Sequence, residues 1–285
     1  MFEMFQLPFM VQAFVVAVIT GLLLSYLGVH VVGRGIVFVD LALGQISSLG
    51  VAFAAFIGIG ITTIPLVFTL VGAFLMSFIV IRDKRLKTEA IIGIFYAFTS
   101  ALTVLLISKT PHGDSDIQEV LFGNILSVSW EQITLIGIVF GILGLLHLVF
   151  FRKFFALTES FESSGSGVVG ENTNSGTSVL NIWNFLFYIS IGLSIVFAVK
   201  VNGVIPVFSY LIIPAVSGIM LTKSNFGVVL IALMISVLAS FLGLSFSFNF
   251  DFPAGSSVVA VLGGIFLICS AISIVKGMVM KKSEL

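Results

Sequence analysis

Charge is what this chain has least of. Asp, Glu, Lys and Arg make up 9% of its 285 residues, against roughly 25% in an ordinary soluble domain. With 59% hydrophobic residues and a mean hydropathy of +1.24, a water-soluble fold is excluded. Basic and acidic residues balance at 13 each, so there is no basic excess of the kind that nucleic acid requires. A single cysteine, Cys269, excludes an internal disulfide and, inside an apolar run, reads as a small packed residue. The signatures of catalysis are missing too. No Gly-rich phosphate loop ends in Lys and Ser/Thr, so the chain does not itself hydrolyse ATP, and it has neither a Gly-x-Ser-x-Gly elbow nor a His-Glu-x-x-His helix. Asp40 has no second aspartate at membrane depth, which an intramembrane aspartyl protease needs. The N-terminal MFEMFQLPFMVQAF lacks the basic region and small-residue cleavage site of a secretion signal, and reads as the start of a first span.

What is present is a series of long apolar windows, at 8–32, 36–59, 61–82, 89–108, 131–151, 182–200, 203–222, 225–247 and 254–276. Each is about the length that crosses a hydrocarbon core of ~30 Å. The chain is therefore expected to be an all-α polytopic membrane protein of eight or nine transmembrane helices, forming one domain over 1–285. The pair 182–222 leaves two arrangements open, because Pro206 and Pro214 interrupt a straight helix: two spans, or a short re-entrant helix and one span. Nine spans with the N-terminus outside and the C-terminus cytoplasmic place 11 of the 13 basic residues inside, only Lys109 and Lys200 falling outside. The outer face is then acidic, with Glu3, Asp114, Asp116, Glu119, Glu131 and Asp251.

The most informative stretch is Ile36 to Gly60, which carries Asp40, Gln45, Ser47 and Ser48 in an otherwise apolar run. A carboxylate at membrane depth costs about 2.5–3.5 kcal/mol on insertion scales. Two readings account for it: Asp40 and Gln45 line a transit path with Ser47 and Ser48 supporting, or Asp40 pairs with Arg34 near the interface. Two loops stand out. In the outer loop, 109–130, His112 with Asp114, Asp116 or Glu119 offers metal-ligating side chains, though a solvated Pro-His-Gly turn accounts for the same residues. The inner loop, 152–181, opens with the amphipathic RKFFALTESFES and continues as a Ser/Gly/Asn linker. His30 and His147, near the inner ends of spans, read as packed, hydrogen-bonded imidazoles.

Several stretches in order resemble the permease subunits of bacterial ABC transporters for zinc, manganese and iron(II). YLGVHVVGRGIVFVDLALGQISSLGVAFA is similar to the family's first-to-second span stretch with its DALSHA-type motif, and KTEAIIGIFYAFTSALTVLLIS to its E-x-AIGI span. LFGNILSVSW, NGVIPVFSYLIIPA and FDFPAGSSVVAVLGGIFL resemble its segment after the fourth span, its VGVLLVSALLILPA run and its DLP-x-G lead into the last span.

The resemblance implies a permease in the bacterial cytoplasmic membrane, working as a homodimer with a cytoplasmic ATP-binding subunit dimer and an extracytoplasmic substrate-binding protein. It also implies transport of a divalent metal, no cofactor bound by this chain, and ATP used by the partner subunit. By position, coupling to the ATPase falls to Ala156–Ser163, with Glu159, Phe161 and Glu162 as contacts. The family places a His four residues after the span-two Asp, whereas here Gln45 follows Asp40 by five, about 140° around a helix. That substitution keeps a metal chelate or other small solute open as cargo. A membrane-embedded enzyme and a structural scaffold are the rivals from other classes; the first lacks a catalytic set and the second has no use for Asp40 and Gln45 at depth.

Overall fold

The computed structural model describes residues 3–60, 63–78, 88–108, 123–163 and 182–283. Among them are ten α-helices and no strand: α1 (Pro8–Gly33), α2 (Val39–Ile57), α3 (Thr63–Ser77), α4 (Thr88–Ile107), α5 (Trp130–Val149), α6 (Phe151–Ser163), α7 (Ile182–Asn202), α8 (Val204–Leu221), α9 (Asn225–Phe250) and α10 (Ala254–Ser283). All except α3 and α6 are long and apolar enough to cross a membrane, making eight such helices, and α3 is a shorter apolar helix. The expected all-α polytopic architecture is what the chain adopts. The 182–222 region is two full helices, α7 and α8, separated at Gly203, whose φ of 81° suits a residue without a Cβ. The second span starts three residues later than its hydropathy suggests, because 36–38 form a turn.

Two compact units divide the chain. One comprises Met1–Val29, Asn124–Gly137 and Ile205–Leu285; the other comprises His30–Gly123 and Ile138–Val204. In the first, Pro214 sits inside α8 and has no N–H for the carbonyl of Tyr210 one turn earlier. The Ser25 hydroxyl of α1 donates to that carbonyl at 3.1 Å. A Cβ on Gly28 would collide with the Leu211 carbonyl, so the glycine is what lets α1 lie against the backbone of α8. Tyr210 is fully buried, and its hydroxyl lies 2.6 Å from Ser240 Oγ on α9.

In the second unit α2 is central, packed against α3, α4 and α7. Nearly every residue from Val39 to Ser48 is buried whichever way it faces, as expected of a helix with neighbours all around. Gly50 allows α3 to approach closely, since a Cβ there would come within 2.6 Å of Pro65 Cα. Several hydroxyls in these helices donate one turn back: Ser48 to Gly44, Thr69 to Pro65, Thr103 to Thr99 and Ser194 to Ser190.

Candidate functional site

Asp40 is the second residue of α2, in the first turn, and only 2% exposed. Its Oδ1 accepts a 2.7 Å hydrogen bond from the Leu41 N–H. A first-turn amide has no intrahelical acceptor, so a carboxylate fits here locally and also meets the positive end of the helix dipole. The local fit uses one oxygen. Oδ2 is buried and makes no hydrogen bond. Just before the helix, the Val37 N–H donates at 3.3 Å to Glu89 Oε1 from the first turn of α4, which holds the 36–38 turn in place.

The helical register decides which of the sequence-selected residues belong together. Gly44, Ser47 and Ser48 follow Asp40 by four, seven and eight, so all share its face, while Gln45 lies about 140° away. Ser47 and Ser48 are buried, at 3% and 1% exposure. The Ser48 proton goes to the Gly44 carbonyl at 2.9 Å, which leaves the oxygen lone pairs to act only as acceptors. Ser47 stands roughly 10 Å along the axis from Asp40 at 1.5 Å per residue. One ion cannot touch both; the polar face is a succession of oxygen positions. Gln45 is buried at 7% exposure on its different face.

Arg34 does not pair with Asp40. Its Nε donates to Thr158 Oγ1 at 3.3 Å, its Nη1 to Asn184 Oδ1 at 3.3 Å, and its Cζ lies 3.5 Å from the centroid of the Phe187 ring. His30 and His147 are packed imidazoles, as expected: His30 Nδ1 is 2.9 Å from Thr158 Oγ1, and His147 stacks on Phe154 at 4.0 Å. The sequence alone does not bring these residues together, because the contacts span 124 and 150 residues. The available signal was that His30, Arg34 and His147 all sit near helix ends, with the amphipathic α6 directly after His147.

The other sequence-selected residues are placed less fully. His112, Asp114 and Asp116 lie outside the described residues. Glu159 is exposed on α6; Phe161 and Glu162 continue that helix, and their side chains lie outside the described set. Among the described residues no three of His, Cys, Asp and Glu cluster as a metal centre would require.

Comparison with known proteins matches this arrangement to a transporter family. The chain is 30% identical, over 93% of its length and 85% of the relative's, to an uncharacterized membrane protein encoded in the ycf23-apcF intergenic region of Cyanophora paradoxa. It is 29% identical to the manganese import system permease protein ScaB of Streptococcus gordonii, over 91% of this chain and 90% of that protein. Among solved structures, PsaBC from Streptococcus pneumoniae in complex with Fab superposes with a TM-score of 0.75 at 25% identity, covering 92% of this chain and 91% of that one. A model of the ABC 3 transport family matches residues 6–273, nearly the whole helical bundle, and the chain belongs to that family.

Proposed function

We propose that this chain is the membrane permease of an ATP-driven importer for a divalent transition metal, with manganese the first choice among manganese, iron(II) and zinc. The observation that carries the proposal is Asp40, whose free oxygen is buried in the central helix of a membrane unit on a face that continues through Ser47 and Ser48. A carboxylate without a full set of partners is retained in an apolar setting where it meets a cation, water or a partner. Donors on this face are all oxygens, which suit manganese better than zinc. Its likeness to a manganese import permease over most of both chains supports the same cargo. Asp40 serves as an ion contact and Ser47 and Ser48 as successive oxygens; Gln45, on another face, contributes only where the ion's path turns around α2. In the outer loop, His112, Asp114 and Asp116 act as a first contact for the arriving ion.

The remaining parts follow from the family's mode of action. Two copies of the permease sit in the bacterial cytoplasmic membrane with N-termini outside, an extracytoplasmic binding protein delivers the ion, and ATP is hydrolysed by a separate pair of cytoplasmic subunits. The helix α6 faces those subunits through Glu159, Phe161 and Glu162. A metal chelate or other small solute is the second reading, favoured by the single carboxylate on the polar face. Uptake of radioactive manganese, iron(II) and zinc by cells carrying the transporter separates the two. Asp40→Asn should abolish uptake of the bare ion, and Gln45→His should shift preference toward zinc, because imidazole suits that metal better than an amide. Full uptake by Asp40→Asn, normalised to assembled complex, overturns the site.

A further inference from the structure

The helix α6 has two unlike faces. Phe154, Phe155, Leu157 and Thr158 are buried, while Arg152, Lys153, Ala156 and Glu159 are exposed. At 13 residues it is too short to be stable alone, so its position is set by what the buried face touches. Aromatic contacts supply part of this: Phe154 stacks on His147 of α5, and Phe155 meets the His30 ring edge-on at 4.5 Å. Such contacts tolerate sliding and rotation. Thr158 supplies a directional contact.

A threonine hydroxyl has one proton and two lone-pair sites, and this one uses all three. The proton goes to the Phe154 carbonyl at 3.0 Å. Arg34 Nε donates to the oxygen at 3.3 Å, and His30 Nδ1 lies 2.9 Å away. Because the Thr158 proton is already placed, His30 must be the donor, which requires the tautomer with its proton on Nδ1. The same guanidinium reaches Asn184 of α7 and lies against Phe187. Arg34, 3% exposed, therefore ties the end of α1 to both α6 and α7. Gly33 permits the approach, since a Cβ there would come within 2.7 Å of Thr158 Cγ2.

We propose that Thr158, clamped between His30 and Arg34, locks α6 to the end of α1 and to α7, so that a displacement imposed on α6 is delivered to this helix unit without slip. Thr158 and Arg34 are positioning residues; neither touches cargo or nucleotide. This inference rests on the reading of α6 as the ATPase-facing element.

The test uses the permease reconstituted with its ATP-binding subunits, measuring manganese imported per ATP hydrolysed. Thr158→Val keeps the shape and removes the hydroxyl. The complex should assemble and hydrolyse ATP, with import per ATP falling roughly tenfold, within the range that altered coupling networks produce, and Thr158→Ser should restore it. Unchanged import per ATP in Thr158→Val overturns the proposal. A second variant reads the same point covalently: Gly33→Cys with Thr158→Cys, in a Cys269→Ser background. Oxidised, it should couple like wild type, because a bond replaces the hydrogen bonds; reduced, it should be uncoupled. An oxidised form that hydrolyses ATP without import means that α6 must swing away from α1, which also overturns the proposal. Where Thr158→Val does not accumulate, the oxidised and reduced states of this one sample decide. A wild-type complex that imports no divalent metal sinks the transport reading alone. The lock is then read from hydrogen exchange of the α6 amides, whose protection Thr158→Val must lower and Thr158→Ser must keep; equal protection in both overturns it.

Discussion

Asp40→Asn should stabilise the protein while disabling it. The carboxylate is buried in the first turn of α2, and a full charge deep in a membrane helix costs about 2.5–3.5 kcal/mol. Two local interactions bear on the difference. The hydrogen bond from Leu41 N–H survives the substitution, because the amide oxygen of Asn accepts as the carboxylate did. The interaction with the helix dipole is lost, at roughly 0.5–1 kcal/mol. The net is a gain of about 1.5–3 kcal/mol, equivalent to a rise in melting temperature of roughly 3–12 °C at about 2–4 °C per kcal/mol. Thermal unfolding of the detergent-solubilised permease, followed by intrinsic fluorescence, measures it alongside metal uptake. A stabilised, inactive protein is the signature of a charge kept for transport. A fall in melting temperature would show instead that Oδ2 has a structural partner, and the site argument would be refuted.

Other outcomes follow from the same structure. Ser25→Ala leaves the Tyr210 carbonyl without a donor beside Pro214; stability should drop by about 1–3 kcal/mol, the cost of one buried unsatisfied acceptor, in the same unfolding assay. In a Cys269→Ser background, single cysteines at Ser115 and Ser166, positions outside the described residues, should label from opposite sides of intact cells, the first from outside. Labelling of both from outside would refute this topology. Replacing Glu159 and Phe161 together should reduce copurification of the ATP-binding subunit, while removing Ser164 to Ser175 should leave it intact, because a Ser/Gly-rich linker contributes little packing. A full-strength complex from the double replacement would place the contact elsewhere.

Element type was legible because hydropathy in a membrane protein reports length directly, and the windows at 8–32 and 254–276 reappear as Pro8–Gly33 and Ala254–Ser283. The start of α2 was not. Ile36, Val37 and Phe38 are apolar enough to continue any span, and what ends the turn is an interaction from elsewhere, Glu89 accepting from the Val37 N–H. The displacement matters for the site, since it moves Asp40 from inside a helix to its first turn, where a carboxylate has a local use for one oxygen. The first-turn position accounts for one oxygen of Asp40 and leaves the other, Oδ2, buried without a hydrogen bond.

The polar contacts that fix helix positions were hidden for a different reason. Pro214 announces a freed carbonyl in any sequence, but the hydroxyl that satisfies it, Ser25, is 185 residues away. Likewise, Arg34 meets Thr158 and Asn184 across separations of 124 and 150 residues. Each of these residues alone has an adequate local explanation: an interfacial arginine that snorkels, a threonine that bonds one turn back, an asparagine near the start of a span. Thr158 does bond one turn back, to Phe154. That local bond is what makes the long-range one directional, because it consumes the only proton and leaves the oxygen to accept from both His30 and Arg34. A substitution that spares the local bond and removes one of the two long-range donors, such as Arg34→Met, should therefore leave α6 helical yet more loosely seated. Circular dichroism would be unchanged, while hydrogen exchange across 151–159 would quicken. Unchanged exchange instead would mean that the aromatic contacts, and not the clamp, set the position of α6.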